Sequence, residues 1–111
     1  MSVQILISQK GPLPLSVGFN APGDIPVVLE INGSVWTTTA NSMIGILVQL
    51  DGQNLGQANI FSNTASTHRA VVPAYFQVQL KYGVQHKLVL SPASGTTTSD
   101  LNDFFTAVIH Y

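Results

Sequence analysis

The chain has no cysteine. A disulfide framework, a thiolate-held zinc ion and thiol catalysis are therefore excluded, and the fold has to be held by packing. Charge is nearly as scarce: the 111 residues include four Lys or Arg and five Asp or Glu, 8% of the chain, against about 25% in an ordinary soluble domain. The formal net charge of −1 leaves no basic patch to neutralise phosphates, so DNA and RNA are not expected partners. Long apolar runs are also missing. Hydrophobic residues make up 45% of the chain, yet no stretch approaches the ~20 residues of a bilayer-spanning helix, and no membrane span is expected. Residues 1 to 9 lack the basic start, apolar centre and small-residue cleavage site of a secretory leader, which leaves cytoplasmic residence or leaderless release open.

A length of 111 residues fits one domain, 1 to 111, and a monomer of this mass exposes roughly 6,000 Å². So few charged side chains are a poor cover for that area. Neutral Ser, Thr, Asn and Gln, dense in 32 to 42 and 94 to 102, can solvate part of it. The remainder calls for burial of apolar surface against other copies.

The segments show no long amphipathic helical period. Short runs of Val, Ile, Leu, Phe and Thr instead recur between turn residues, the mark of an all-β sandwich. Strands are expected at 3 to 8, 26 to 32, 34 to 38, 43 to 50, 54 to 61, 68 to 80, 85 to 91 and 103 to 110. Asp51-Gly52 is the clearest hairpin signal, because both positions of a tight primed turn need positive φ. Asn32-Gly33 reads as a second hairpin, Tyr82-Gly83 as a turn and Pro92-Ala93-Ser94-Gly95 as a loop. Pro12, Pro14, Pro22 and Pro26 lack ladder donors, so residues 11 to 26 are expected to run as an extended edge crossing. Around Ile44, Ile46, Val48 and Leu50 the intervening positions include Met43 and Leu47, so both sides of that strand ask for a cover. Gly45, Gly56 and Ala58 either admit a close neighbouring surface or relieve strand bends.

In their order along the chain, several short marks resemble the C1q and tumour-necrosis-factor-like jelly rolls, small bacterial members in particular. They are Ile44-Gly45-Ile46 with Leu50-Asp51-Gly52, His68-Arg69-Ala70-Val71-Val72-Pro73, Leu80 to Gly83 with His86 to Leu90, and Ser94-Gly95-Thr96 with Asn102-Asp103-Phe104-Phe105. The resemblance covers the chain from about Gly23 onward. It implies a jelly-roll sandwich of two antiparallel sheets, assembled as a homotrimer through one apolar sheet face, with ligands at outer loops or between subunits. Relatives include cytokine-like ligands and a bacterial fucose-binding lectin, and none of their site motifs matches here residue by residue.

For chemistry, nucleophilic catalysis needs a hydroxyl beside an oriented base. There is no Gly-x-Ser-x-Gly turn, and His68, His86 and His110 fall in separate runs where each reads as a packed or hydrogen-bonded residue; no enzyme and no cofactor are expected. Asp100, Asn102 and Asp103 could offer oxygens to a hard cation, but they read better as a turn, with Asp103 opening the last strand, and no metal is expected. Asp51 reads as a hairpin residue. Asn32-Gly33-Ser34 has the glycosylation-acceptor pattern and reads as a coincidental turn. Glycan recognition combines an aromatic face with amide, hydroxyl or guanidinium groups. Trp36 beside Ser34 and Thr37 to Thr39, with Asn63, Thr67, His68 and Arg69, supplies those types. Each also has a plain structural reading: Trp36 as a core anchor, the hydroxyls as solvating groups, Arg69 as a partner for a carboxylate. Tyr75, Tyr82 and Tyr111 are surface-capable aromatics. The expected function is a non-enzymatic homotrimeric module recognising a glycan or another cell-surface ligand. The alternative is a structural assembly protein such as a phage capsid-decoration or tail-fibre component.

Overall fold

A computed structural model describes residues 2–111. Among them there is no helix, and nine strands form two antiparallel sheets packed face to face. The strands are β1 (Val3–Lys10), β2 (Leu15–Asn20), β3 (Pro26–Val35), β4 (Ser42–Leu50), β5 (Gln53–Ser62), β6 (Arg69–Ala70), β7 (Ala74–Gln79), β8 (Gln85–Pro92) and β9 (Phe104–His110). One sheet runs β1-β9-β3, with β7 and the short β6 paired along the far side of β3; the other runs β2-β8-β4-β5. The molecule measures 44 × 25 × 21 Å, and its loops gather at two ends. One carries the β1–β2, β3–β4, β5–β6 and β8–β9 loops. The other carries the β2–β3 loop, the β4–β5 and β7–β8 turns and the C-terminal end of β9.

Alternation fills the space between the sheets. Leu29, Ile31, Phe105, Ala107 and Ile109 face Ile44, Ile46, Val48, Leu88 and Leu90, all essentially buried, each large aliphatic contributing about 1.5–3 kcal/mol of transfer free energy. The Asp51-Gly52 hairpin forms as expected: Leu50 pairs with Gln53, and φ is +52° at Asp51 and +83° at Gly52, the two-residue primed turn whose twist suits flanking strands. The turn at Tyr82-Gly83 and the loop after Pro92 also form. The proline-rich stretch does supply an edge strand, β2, paired on one side to β8, while Pro26 opens β3, where a missing donor is tolerated.

Three expectations are corrected. Asn32-Gly33 is no hairpin, and the separate strands at 26 to 32 and 34 to 38 are one continuous β3 paired to β9 across Asn32↔Thr106 and Gly33↔Phe105. A Cβ on Gly33 would overlap the Phe105 ring and sit 3.0 Å from Ile46 Cδ1, so this glycine makes room for an aromatic and turns nothing. The 68 to 80 run is interrupted: β6 ends at Ala70, and Val71-Val72-Pro73 separates it from β7, since Pro73 has no N–H for a ladder. The last strand begins at Phe104, one residue after Asp103. Gly45 is explained internally, because the Asn59 side chain lies across it where a Cβ would stand. Gly56 sits beside the β4–β5 register shift, with Phe76 against its bare face.

Candidate functional site

Asp103 organises the four-loop end. It is fully buried between β9 and the end of β1, and its backbone N–H and carbonyl bond Asp100 O and Gly11 N at 3.1 and 2.9 Å. Its carboxylate accepts from Ser34 Oγ at 2.7 Å and from His68 Nδ1 at 2.7 Å on one oxygen, and from the Asp100 N–H at 2.9 Å on the other. A buried carboxylate is tolerable because donors replace its water. The Asn102 N–H closes a tight side-chain turn on Asp100 Oδ1 at 2.8 Å, leaving Asp100 Oδ2 3.9 Å from His68 Nε2. The hydrogen bond to Asp103 holds the His68 imidazole above its ordinary pKa, against a smaller opposing effect of desolvation, with the Asp100 charge adding to the rise.

Trp36 lies just past β3, bridged to Thr98 by reciprocal backbone hydrogen bonds of 2.9 and 2.7 Å. It stands outside the core cluster, so it is no core anchor. Its ring lies tilted against His68 with centroids 5.8 Å apart, and its Nε1 is enclosed without a hydrogen-bond partner among the described residues. Beneath it, buried Thr37 bonds both Thr39 N and O through its hydroxyl, while Ser66 N reaches Thr37 O. The Ser66–Thr37 bond ties the β3–β4 and β5–β6 loops together.

Of the five residues expected to bind ligand, the fold brings Trp36 and His68 together. Asn63 and Thr67 are exposed on the adjoining β5–β6 loop. Arg69 turns away: it pairs with Val35, whose side chain points into the sandwich, and its Nε is enclosed without a partner among the described residues. It forms no ion pair there with a carboxylate. His68 stands in the loop before β6, and not in a strand. Sequence spacing missed Asp100 and Asp103 as neighbours of His68, and Ser34 as the hydroxyl donor to Asp103. Thirty-five residues separate His68 from Asp103, so only the β3-β9 and β3-β6 pairings could join them.

His68, Asp100 and Asp103 present one ligand atom each within 4.8 Å of one another, the set here that comes nearest to a cation site. Asp103, however, already serves three donors, so His68 Nε2 and Asp100 Oδ2 alone face outward, fewer than a structural cation takes. Ser, His and Asp also meet here with the wrong wiring for hydrolysis: Ser34 donates to the carboxylate, and His68 is no acceptor for its proton.

The other two histidines lie toward the opposite end, each also bonded to a carboxylate. The buried His86 ring bonds Asp51 Oδ2 through Nδ1 at 2.7 Å and Lys81 O through Nε2 at 3.0 Å. The protonated ring donates at both positions, so its pKa is raised, chiefly by Asp51. Burial works to raise the Asp51 pKa, but His86 and the Lys87 N–H outweigh it and hold the carboxyl below its ordinary value. His110 Nε2 meets Glu30 Oε1 at 2.7 Å on the outer surface of the first sheet. Glu30 Oε2 accepts from Asn32 at 3.1 Å and from the Tyr75 hydroxyl at 3.4 Å. Asn32, in the glycosylation-acceptor pattern, thus lies mid-strand with its amide engaged.

Apolar side chains surround that pair on the outer surface. Side chains stand in rows across the strands: Val3, His110, Val28 and Gln77, then Ile5, Val108, Glu30 and Tyr75. Ile5 is 65% exposed, Tyr75 62% and Val3 56%, with Phe104 and Tyr111 also open at its margins.

No family model and no curated protein sequence matches the chain. Among solved structures, it is similar to Eiger TNF from S. frugiperda, with a TM-score of 0.62 at 9% identity over 98% of this chain and 92% of that one. It is also similar to the EclA C-terminal domain, described as a sugar-binding protein, with a TM-score of 0.51 at 13% identity over 98% and 77%. The likeness shows the fold.

Proposed function

We infer the function of this chain from its fold, a jelly roll of the TNF-like type. We propose that this chain is a non-enzymatic recognition module that assembles as a homotrimer and binds carbohydrate at its four-loop end. The carrying observation is the outer face of the β1-β9-β3-β7 sheet. It exposes Val3, Ile5, Val28, Tyr75 and Phe104 on a chain with four basic and five acidic residues. Contiguous apolar surface of this kind marks an interface, and a second and third copy of the same chain are the occupants that the TNF-like fold favours.

For the ligand, the ring of Trp36 beside His68 Nε2 and Asp100 Oδ2 combines an apolar plane with a donor and an acceptor, the pairing that suits a sugar's C–H face and its hydroxyls. The sugar-binding neighbour supports that class. Three such sites on one trimer would turn weak contacts into avidity for repeated glycans.

Sedimentation velocity at micromolar concentration should give three times the chain mass, and Ile5→Asp should give a folded monomer. A wild-type monomer at every concentration overturns the assembly. A glycan array probed with the wild-type trimer should give hits that Trp36→Ala loses; a trimer without hits overturns the sugar reading alone.

A further inference from the structure

The proposed interface is not uniformly greasy. In the middle of its apolar rows sits one compact polar set, Glu30 with His110, Asn32 and Tyr75. We infer that the Glu30–His110 pair makes assembly dependent on pH, with the trimer tightest where the pair holds a single proton. The inference rests on the homotrimeric reading and adds its regulation.

In the isolated chain both side chains are partly exposed, 28% for His110 and 25% for Glu30, so water can compensate whichever group loses its counter-charge. A covering copy removes that water. The pair then remains inexpensive only as carboxylate with imidazolium, neutral overall, with Asn32 and Tyr75 occupying the second carboxylate oxygen. Loss of the His110 proton leaves an uncompensated carboxylate on each subunit. Protonation of Glu30 leaves an uncompensated imidazolium. Each is costly in a covered apolar face.

No other charged group on the face can compensate. On β7 the neighbours are Tyr75 and neutral Gln77. On β1 the matching rows carry Val3 and Ile5, and on β9 Val108 and Thr106 accompany His110. Lys10 stands at the far end, opposite Phe104, and Tyr111 follows His110.

The sign follows from proton counting. Above the His range the free chain has lost a proton that the assembly retains, so association weakens as pH rises; below the carboxylate range the free chain takes up a proton that the assembly refuses, so association weakens as pH falls. The expected optimum is at mildly acidic pH, between the carboxylate and imidazole ranges.

Sedimentation velocity across a protein dilution series, from about pH 4 to 9, tests this on the full chain and on Glu30→Gln/His110→Gln, with near-ultraviolet circular dichroism of Trp36 reporting folding. The wild-type concentration for half-dissociation should rise about tenfold or more from pH 5.5 to 8 while the subunits stay folded. The double variant should give a flat profile. A wild-type trimer with a flat profile, or a double variant that keeps the wild-type profile, overturns the inference. A wild type that is monomeric throughout overturns the assembly reading beneath it.

Discussion

Asp103 shows how much one side chain can carry in a protein with so few charges. Its carboxylate accepts from Ser34, His68 and the Asp100 N–H while fully buried, so truncation strands three donors at once. Asp103→Ala should cost about 3–5 kcal/mol of stability, read from urea unfolding. Asp103→Asn should keep much of the packing but return the His68 pKa toward about 6.5, followed by the ring proton shifts in an NMR titration. Gly33 is sensitive for a steric reason: an added methyl meets Phe105 and Ile46. Gly33→Ala should lose about 1–3 kcal/mol in the same measurement, the cost of overpacking a filled core. Neither role was legible locally. Asn-Gly has strong turn chemistry, but the continuous pairing of β3 with β9 overrode it.

At the level of elements, His86 fastens two turns that share an end of the sandwich. Its ring joins Asp51 of the β4–β5 hairpin to the Lys81 carbonyl before β8. The raised pKa values of His86 and His68 add stability that is complete below about pH 6.5 and is lost as pH rises through their folded values. The lowered values of Asp51 and Glu30 add stability present above about pH 4.5 and lost as pH falls through theirs. Urea midpoints should therefore peak between these limits. Asp51→Asn retains a residue suited to positive φ in the turn, so it should fold, with a shallower decline on the alkaline side than wild type. The hairpin itself was readable because Asp-Gly leaves few conformations open. Its clamp was not, because His86 and Asp51 are thirty-five residues apart.

Seen whole, the described residues expose 5827 Å², about what a monomer of this mass presents, and the scarcity of charge falls unevenly on it. The outer side of β4 carries Met43 and Leu47, the strand whose composition asked for a second cover. The broad apolar rows nevertheless lie on the other sheet, where β1, β9 and β3 bring Val3, Ile5, Val108 and Val28 side by side. An assembly through that face makes thermal stability depend on concentration, because association favours the folded state by mass action. The wild-type melting temperature should climb by several degrees over a hundredfold increase in protein, measured by scanning fluorimetry. Ile5→Asp should remove that dependence.

Alternation of apolar residues, proline placement and one Asp-Gly turn were sufficient to determine an all-β sandwich with low charge, since period and turn chemistry are properties of neighbouring residues. The order of the marks along the chain carried the jelly-roll expectation. Which strands lie side by side was decided by the packed sheets alone. That pairing set Trp36 against His68 and buried Asp103 beneath them. It also placed Glu30 beside His110, because contacts between residues far apart in sequence exist only once the register of β3 and β9 is set.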